Sequence, residues 1–280
     1  MQIITSTQEL SDSLAWRRHA KTVGLIISKG NLHQGHRALI EASQVACDMT
    51  VVTVFSGSEL YAGEQAQRPP EPNAQNEATL EEMGVNILFA PSFDELYPAP
   101  ASGRCKIALP TIDCSALVGL ERVNCQESVT LAIKLCNIVA PTLLVMGENH
   151  YQHLHLTERA LTDLNHQTKV RRVPVLREDD GLLLAADNHL LSHEERNGAA
   201  LLYQTLNDIG HALRSGARHF DKLEQTARVA LRGGQFKTDY VVICDDQTLL
   251  APTTDTTQFR ILGAASLGSV RLADNVFAQA

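Results

Sequence analysis

The stretch VGLIISKGNLHQGHRALIEASQVA, residues 23–46, changes character twice along its length. Residues 23–28 form a short apolar run rich in β-branched side chains, as a strand buried on both faces requires. Residues 36–46, HRALIEASQVA, place apolar side chains at helical intervals. Between them lies SKGNLHQGH, in which His33 and His36 flank a glycine, Gly35. A strand that hands over to a helix in this way is half of a βαβ unit.

Similar apolar runs recur at 50–55 (TVVTVF), 86–91 (NILFAP), 142–147 (TLLVMG) and 170–176 (VRRVPVL), with helical patterns such as ESVTLAIKLCNIV at 127–139 in the intervals. The alternation predicts an α/β fold with a doubly wound parallel sheet over residues 1–177. Ligands of such sheets bind beyond the carboxyl ends of the strands. Residues 62–76, AGEQAQRPPEPNAQN, have no periodicity and read as an exposed loop. After about residue 178 the pattern changes. Ser192 and Glu195 form a capping-box signature before a long helix to about 214, and a second helix at 217–232 precedes Gly233-Gly234. Strands at 239–244 and 259–267 then complete a smaller α+β domain, residues 178–280.

Composition narrows the function classes. The 280 residues carry a net charge of −8, 44% hydrophobic and 20% charged side chains, which suits a globular chain and disfavours a nucleic-acid or anionic-membrane partner. Small molecules are the expected partners. No apolar stretch approaches the roughly 18 residues of a membrane span, and MQIITSTQELSDSL lacks the basic and apolar regions of a secretory signal, so a cytoplasmic location is expected. Six cysteines, at 47, 105, 114, 125, 136 and 244, include no C-x-x-C pair, so reduced thiols are expected rather than a zinc knuckle or a disulfide framework.

The H-x-G-H spacing has a specific chemistry. A glycine between the histidines admits a ligand close to the backbone, and a helix that starts there aims free N–H groups and its positive end at an anion. His33 and His36 are then placed to hydrogen-bond phosphate oxygens and to stabilise charge that develops on an attacked phosphate. The alternative is a pair of loop histidines that only cap the helix or pack beneath it. A second cluster, ENHYQHLH at 148–155, puts His150 and His153 one helical turn apart. They either approach one metal ion or line a nucleotide pocket while His155 packs elsewhere; no metal site is expected.

Longer motifs carry a resemblance. G-N-L-H-Q-G-H at 30–36, APSFDELYP at 90–98 and MGENH at 146–150 are similar to the G-x-L-H-x-G-H, A-P-x-x-x-E-x-Y-P and F-G-E-K-D motifs of the pantothenate synthetase (pantoate–β-alanine ligase) family, within the HxGH nucleotidylyltransferase superfamily. DGLLL at 180–184, DDQTLL at 245–250 and GSVRLADN at 268–275 also resemble that family, so the likeness runs over nearly the whole chain. It implies a Rossmann-like ATP domain, a small C-terminal domain, a homodimer, and the cofactors ATP and Mg²⁺. The implied chemistry joins pantoate to β-alanine through an acyl adenylate. By this resemblance His33 and His36 are catalytic, with His36 nearest the reaction. Lys29, Gly30, Asn31, His33, Gly35, His36, Gly147 and Glu148 are implied to bind ATP.

The chain departs from the family at other positions. The family's F-V-N-P-x-Q-F reads FSGSELY here, with Gly57 and Leu60 where amide side chains line the acid pocket. Lysine and aspartate of G-E-K-D-x-Q-Q become Asn149 and His150, and His153 takes the last glutamine position. H-F-R-G becomes NCQE at 124–127, and L-S-S-R-N becomes LAADN at 184–188. Lost amides lower discrimination at a site built to satisfy polar substrate groups, and Asp187 replaces a phosphate-binding cation with a like charge. The implied function is a diverged ligase of this family. A catalytically impaired ligand- or partner-binding homologue, and a ligase or nucleotidyltransferase for a more apolar acid, are the alternatives.

Overall fold

A computed structural model describes residues 1–15, 21–28, 32, 34–54, 74–98, 104–109 and 120–280. The chain divides into two compact units, Met1–Leu109 with Val123–Pro174, and Pro110–Arg122 with Val175–Ala280.

In the first unit the elements run β1 (Gln2–Ile4), α1 (Thr7–Ala15), β2 (Val23–Ser28), α2 (Gln34–Ala46), β3 (Met49–Val54), α3 (Ala74–Glu82), β4 (Ile87–Phe89), α4 (Phe93–Leu96), α5 (Leu120–Val139), β5 (Leu143–Gly147), α6 (Tyr151–Asp163) and β6 (Lys169–Val173). The six strands form one parallel sheet in the order β1-β4-β3-β2-β5-β6. All six residues of β3 are buried and five of the six in β2, which is why their sequences read as continuous apolar runs rather than alternating ones. Ile26, Ile40, Val52, Leu88 and Val145 meet in one core against α2. Each such side chain contributes about 1.5–3 kcal/mol by leaving water.

The APSFDELYP segment serves this fold. Ser92 caps α4 by accepting from the Glu95 N–H at 3.1 Å. The Glu95 carboxylate accepts from the Thr7 N–H and hydroxyl at 2.7 and 2.6 Å, tying α1 to α4 across 88 residues of sequence.

The second unit holds α7 (His193–Gly198), α8 (Leu201–Arg214), α9 (Phe220–Gly233), β7 (Lys237–Asp245), β8 (Gln258–Leu267) and β9 (Val270–Gln279). The three strands form an antiparallel sheet in the order β7-β8-β9, covered by α8 and α9. The DDQTLL and LADN text is absorbed here. Asp245 turns the chain by accepting from the Gln247 and Thr248 N–H groups. The buried Arg260 donates to Asp246 at 2.7 Å and to Asn275 at 2.9 Å. The open edge of β7 is guarded by α9: the Ile243 N–H donates to Glu224 at 2.9 Å and Arg228 donates to the Val241 carbonyl at 2.7 Å.

Several boundaries differ from the sequence reading. The expected helix to 214 is two helices, because after Gly198 the bonding tightens to i→i+3, with the Ala199 N–H on the Arg196 carbonyl; the Ser192–Glu195 capping box is present as expected. α9 starts at Phe220 rather than 217, since Gly216 at φ +90° ends the preceding turn. Residues 74–76 of the expected 62–76 loop belong to α3, and 62–73 lie outside the described residues. The structure adds β1, α1, α4 and β9 to the expected elements; β1, at three residues, is too short to show a period.

Among the described residues no helix is long and apolar enough to cross a membrane. The described cysteines carry free thiols, with Cys47, Cys125, Cys136 and Cys244 buried and Cys105 exposed; Cys114 lies outside the described residues.

Candidate active site

The strand order reverses between β2 and β5. From β2 the chain builds outward through β3 and β4, and after α5 it returns to lay β5 on the other side of β2. The two strands pair at Gly24–Leu143 and Leu25–Leu144 near their starts. The carboxyl ends of both therefore lie together at the switch point, where a doubly wound sheet opens a ligand crevice.

A helix starts at each of these ends. α2 begins at Gln34 and α6 at Tyr151, and neither carries an acidic residue in its first turn. The positive ends of two helices of 13 residues each thus lie at one end of the sheet, neither with a carboxylate in its own first turn.

Ser28, the last residue of β2 and 1% exposed, lies with its hydroxyl 3.0 Å from Nε2 of His36 in the first turn of α2. A buried hydroxyl at this distance fixes the plane of the imidazole and occupies one of its nitrogens. Gly35 and His36 are both half-buried. Ser28 has no role in the sequence reading; its signal is a polar residue that ends an otherwise apolar strand just before the histidine motif.

At the end of β5, Gly147 is extended at φ −80°, and a single 3-10 turn, Glu148–His150, leads into α6. A side chain at 147 would meet the Asn149 side-chain oxygen at 2.6 Å, so glycine leaves room for Asn149 to fold back over the end of β5. Glu148 is half-buried in that turn. The rings of His150 and His153 stack with centroids 5.7 Å apart, whereas His155 stacks on Tyr151 at 6.1 Å. The histidine cluster is thus split between two ring pairs, and among the described residues no group of three or more His, Cys, Asp and Glu side chains is placed to hold a metal ion.

Lys29, Gly30, Asn31 and His33 of the loop, and Gly57 and Leu60 after β3, lie outside the described residues. Gly35, His36, Gly147, Glu148 and His153 are described, and all five sit at the carboxyl ends of β2 and β5 or in the helices that follow.

In the second unit, the last three of the residues that replace L-S-S-R-N open a 3-10 turn, Ala186–Leu190, whose preceding residue Ala185 gives no side-chain cap. Asp187 is exposed, and the Asn188 amide donates to the Leu183 carbonyl at 2.8 Å. Arg177, bridged to Leu183 just before the segment, is itself anchored. Its guanidinium donates to both Asp274 oxygens at 2.6 and 2.8 Å and to the Gly181 carbonyl at 3.0 Å, and lies 3.8 Å from the centroid of the Tyr203 ring.

A Pantoate-beta-alanine ligase family model matches residues 2–277. The chain belongs to the pantoate–β-alanine ligase family.

Relatives in this family include the pantothenate synthetases of Pseudomonas fluorescens strain Pf-5 and Azotobacter vinelandii strain DJ. Each is 34% identical over 279 residues, covering 99% of this chain and 97% and 98% of theirs. The solved pantoate–β-alanine ligase of Thermus thermophilus superposes with a TM-score of 0.82 at 29% identity, over 99% of both chains. That of Francisella tularensis, solved with β,γ ATP and β-alanine, shares the fold at 22% identity with a TM-score of 0.74. The parallel sheet with a smaller C-terminal domain is therefore the architecture of the ligase family.

Proposed function

We propose that this chain is an ATP-dependent, AMP-forming carboxylate–amine ligase whose turnover of pantoate and β-alanine is strongly reduced. The observation that carries the reading is His36, locked by Ser28 in the first turn of α2 at the sheet switch point. Two helix starts and an oriented imidazole suit a polyphosphate whose α-phosphorus is attacked by a carboxylate. His33, Lys29, Gly30, Asn31 and Gly35 complete the phosphate loop in this reading, with Gly147 and Glu148 on the opposite strand end. His36 stabilises the charge that builds on the α-phosphate as pyrophosphate leaves, and the amine then displaces AMP.

The family's Lys-Asp pair and its Ser-Ser-Arg are absent, so charge-assisted phosphate donors are fewer here. Mg²⁺ supplies countercharge to the triphosphate in this scheme. Bound with the nucleotide, it would lie at the strand ends beside Glu148, the carboxylate of the ATP site in this reading. The relative solved with a nucleotide and β-alanine supports the substrate classes, and a homodimer is the working state in this reading. Gly57, Leu60 and His153 would shape the acid pocket, more apolar than the family's.

A steady-state assay with pantoate, β-alanine and MgATP tests the reading, together with calorimetric titration of ATP. ATP binds, and turnover lies at least about 10³-fold below a typical 10 s⁻¹. A turnover above about 1 s⁻¹ overturns the reduced-activity claim, and absence of ATP binding at cellular concentrations overturns the ligase claim.

A further inference from the structure

The first unit has a cleft of about 450 Å³ between the end of α4, the segment 104–107 and one face of α5. Its floor is apolar, made by Leu96, Ile107 and Ile133. Its walls bear three cations, Arg104, Lys106 and Lys134, and among the described lining residues none is a carboxylate. In a chain of net charge −8 this is a local reversal of sign.

The cations are held in place. Arg104 lies over the Phe93 and Tyr97 rings, with its guanidinium carbon 4.6 and 5.2 Å from their centroids, and the Lys134 ammonium lies 4.9 Å from the Tyr97 centroid. Lys106 is ion-paired with Glu127, which is 4% exposed beneath it. Glu127 belongs to NCQE, where the family has glycine, so this pair is a feature of the present chain. Tyr97 is 8% exposed, and burial next to Glu127 pushes its hydroxyl up to about 12. The ring is therefore neutral at physiological pH and adds no negative charge.

We infer that this cleft binds a small organic anion, a carboxylate on a short apolar body. The carboxylate takes its place between Arg104 and Lys134, which the aromatic rings hold in position, and the apolar body covers Leu96, Ile107 and Ile133. The volume lies within the range of small-molecule pockets, and a cleft with cations above an apolar floor favours such a ligand over a bare inorganic anion. The inference does not rest on the ligase reading.

Cys105, exposed on the cleft wall, gives a direct readout. The folded chain is alkylated with iodoacetate and, separately, with iodoacetamide, and the rate at Cys105 is followed by peptide mass spectrometry. With glutathione as reference, the iodoacetate-to-iodoacetamide rate ratio at Cys105 is expected to be raised about tenfold. Arg104→Met with Lys134→Met, which keep the apolar stems, returns it to the glutathione value; the single Lys134→Met is used if the double variant melts early. Hexanoate at 10 mM slows labelling at least threefold, and hexanamide does not. A wild-type ratio equal to that of glutathione, a raised ratio unchanged by the Met variants, or equal protection by acid and amide each overturns the proposal.

Discussion

Ser28 and His36 are joined side chain to side chain at 3.0 Å across the strand-to-helix handover, so a buried strand end sets the orientation of the histidine at the start of α2. The pairing makes the imidazole part of the sheet's rigid frame rather than of the loop between them. Sites whose groups are held by such packing lose little freedom when a ligand arrives.

Ser28→Ala removes this hold without opening a large cavity. The expected outcome is ATP binding weakened by about 0.5–1.5 kcal/mol, two- to tenfold, with the fold intact, whereas Ser28→Thr keeps the hydroxyl and the affinity. Calorimetric titration of the two variants checks this. An Ala variant that binds as the wild type does would confine Ser28 to a structural role.

Changing Ala185, Ala186 and Asp187 to Ser, Ser and Arg removes an exposed carboxylate and adds charge-assisted donors. ATP binding is expected to tighten by about 1–3 kcal/mol at low salt, with a smaller gain at high salt. Unchanged affinity would place this segment away from the phosphates.

Glu224 gives a pH dependence of unusual sign. Burial, partly offset by the Ile243 N–H and Arg228, holds its carboxyl above the usual carboxylate value. A carboxyl raised in the folded state favours folding while it is protonated. Its stabilising contribution is therefore full below the unfolded value, about 4.3, and is lost as pH rises through the folded one. The neutral Glu224→Gln, still able to accept from Ile243, is expected to gain in melting temperature relative to wild type between pH 4 and pH 8. Melting curves of both proteins at the two pH values decide it, and a constant or shrinking difference would contradict the sign.

Gly181 sits at φ +97°, and a side chain there would meet the Tyr203 ring at 2.5 Å, a ring itself covered by Arg177. Gly181→Ala is expected to cost about 2–3 kcal/mol, from left-handed backbone strain and displacement of the stacked ring. Thermal unfolding followed by circular dichroism would show a fall of several degrees. A melting temperature within about one degree of wild type would show that the ring moves freely.

Much of the fold was legible because strand and helix signals are local. The run at 23–28 is β2 to the residue, and 142–147 and 239–244 locate β5 and β7 to within two residues. The same local logic placed His36 at a helix start and Ser192–Glu195 in a capping box. The A-P-x-x-x-E-x-Y-P glutamate was legible as a motif but not as a tether to Thr7, since 88 residues separate the partners. Likewise DDQTLL and LADN could be matched to a family without showing that Asp246 and Asn275 share Arg260.

By itself, then, the sequence determined the α/β alternation, the histidine motif after a buried strand and the ligase family, all of which rest on residue type and short spacing. Tertiary structure alone decided the strand order that brings β2 and β5 side by side, the Ser28 hold on His36, the division of the histidine cluster into two ring pairs and the cationic cleft beside Tyr97. The physical reason is that periodicity reports which face of an element is buried but not which partner buries it. Lys106 and Glu127 meet because the 104–107 segment lies along α5, and nothing in the residues between them encodes that pairing locally.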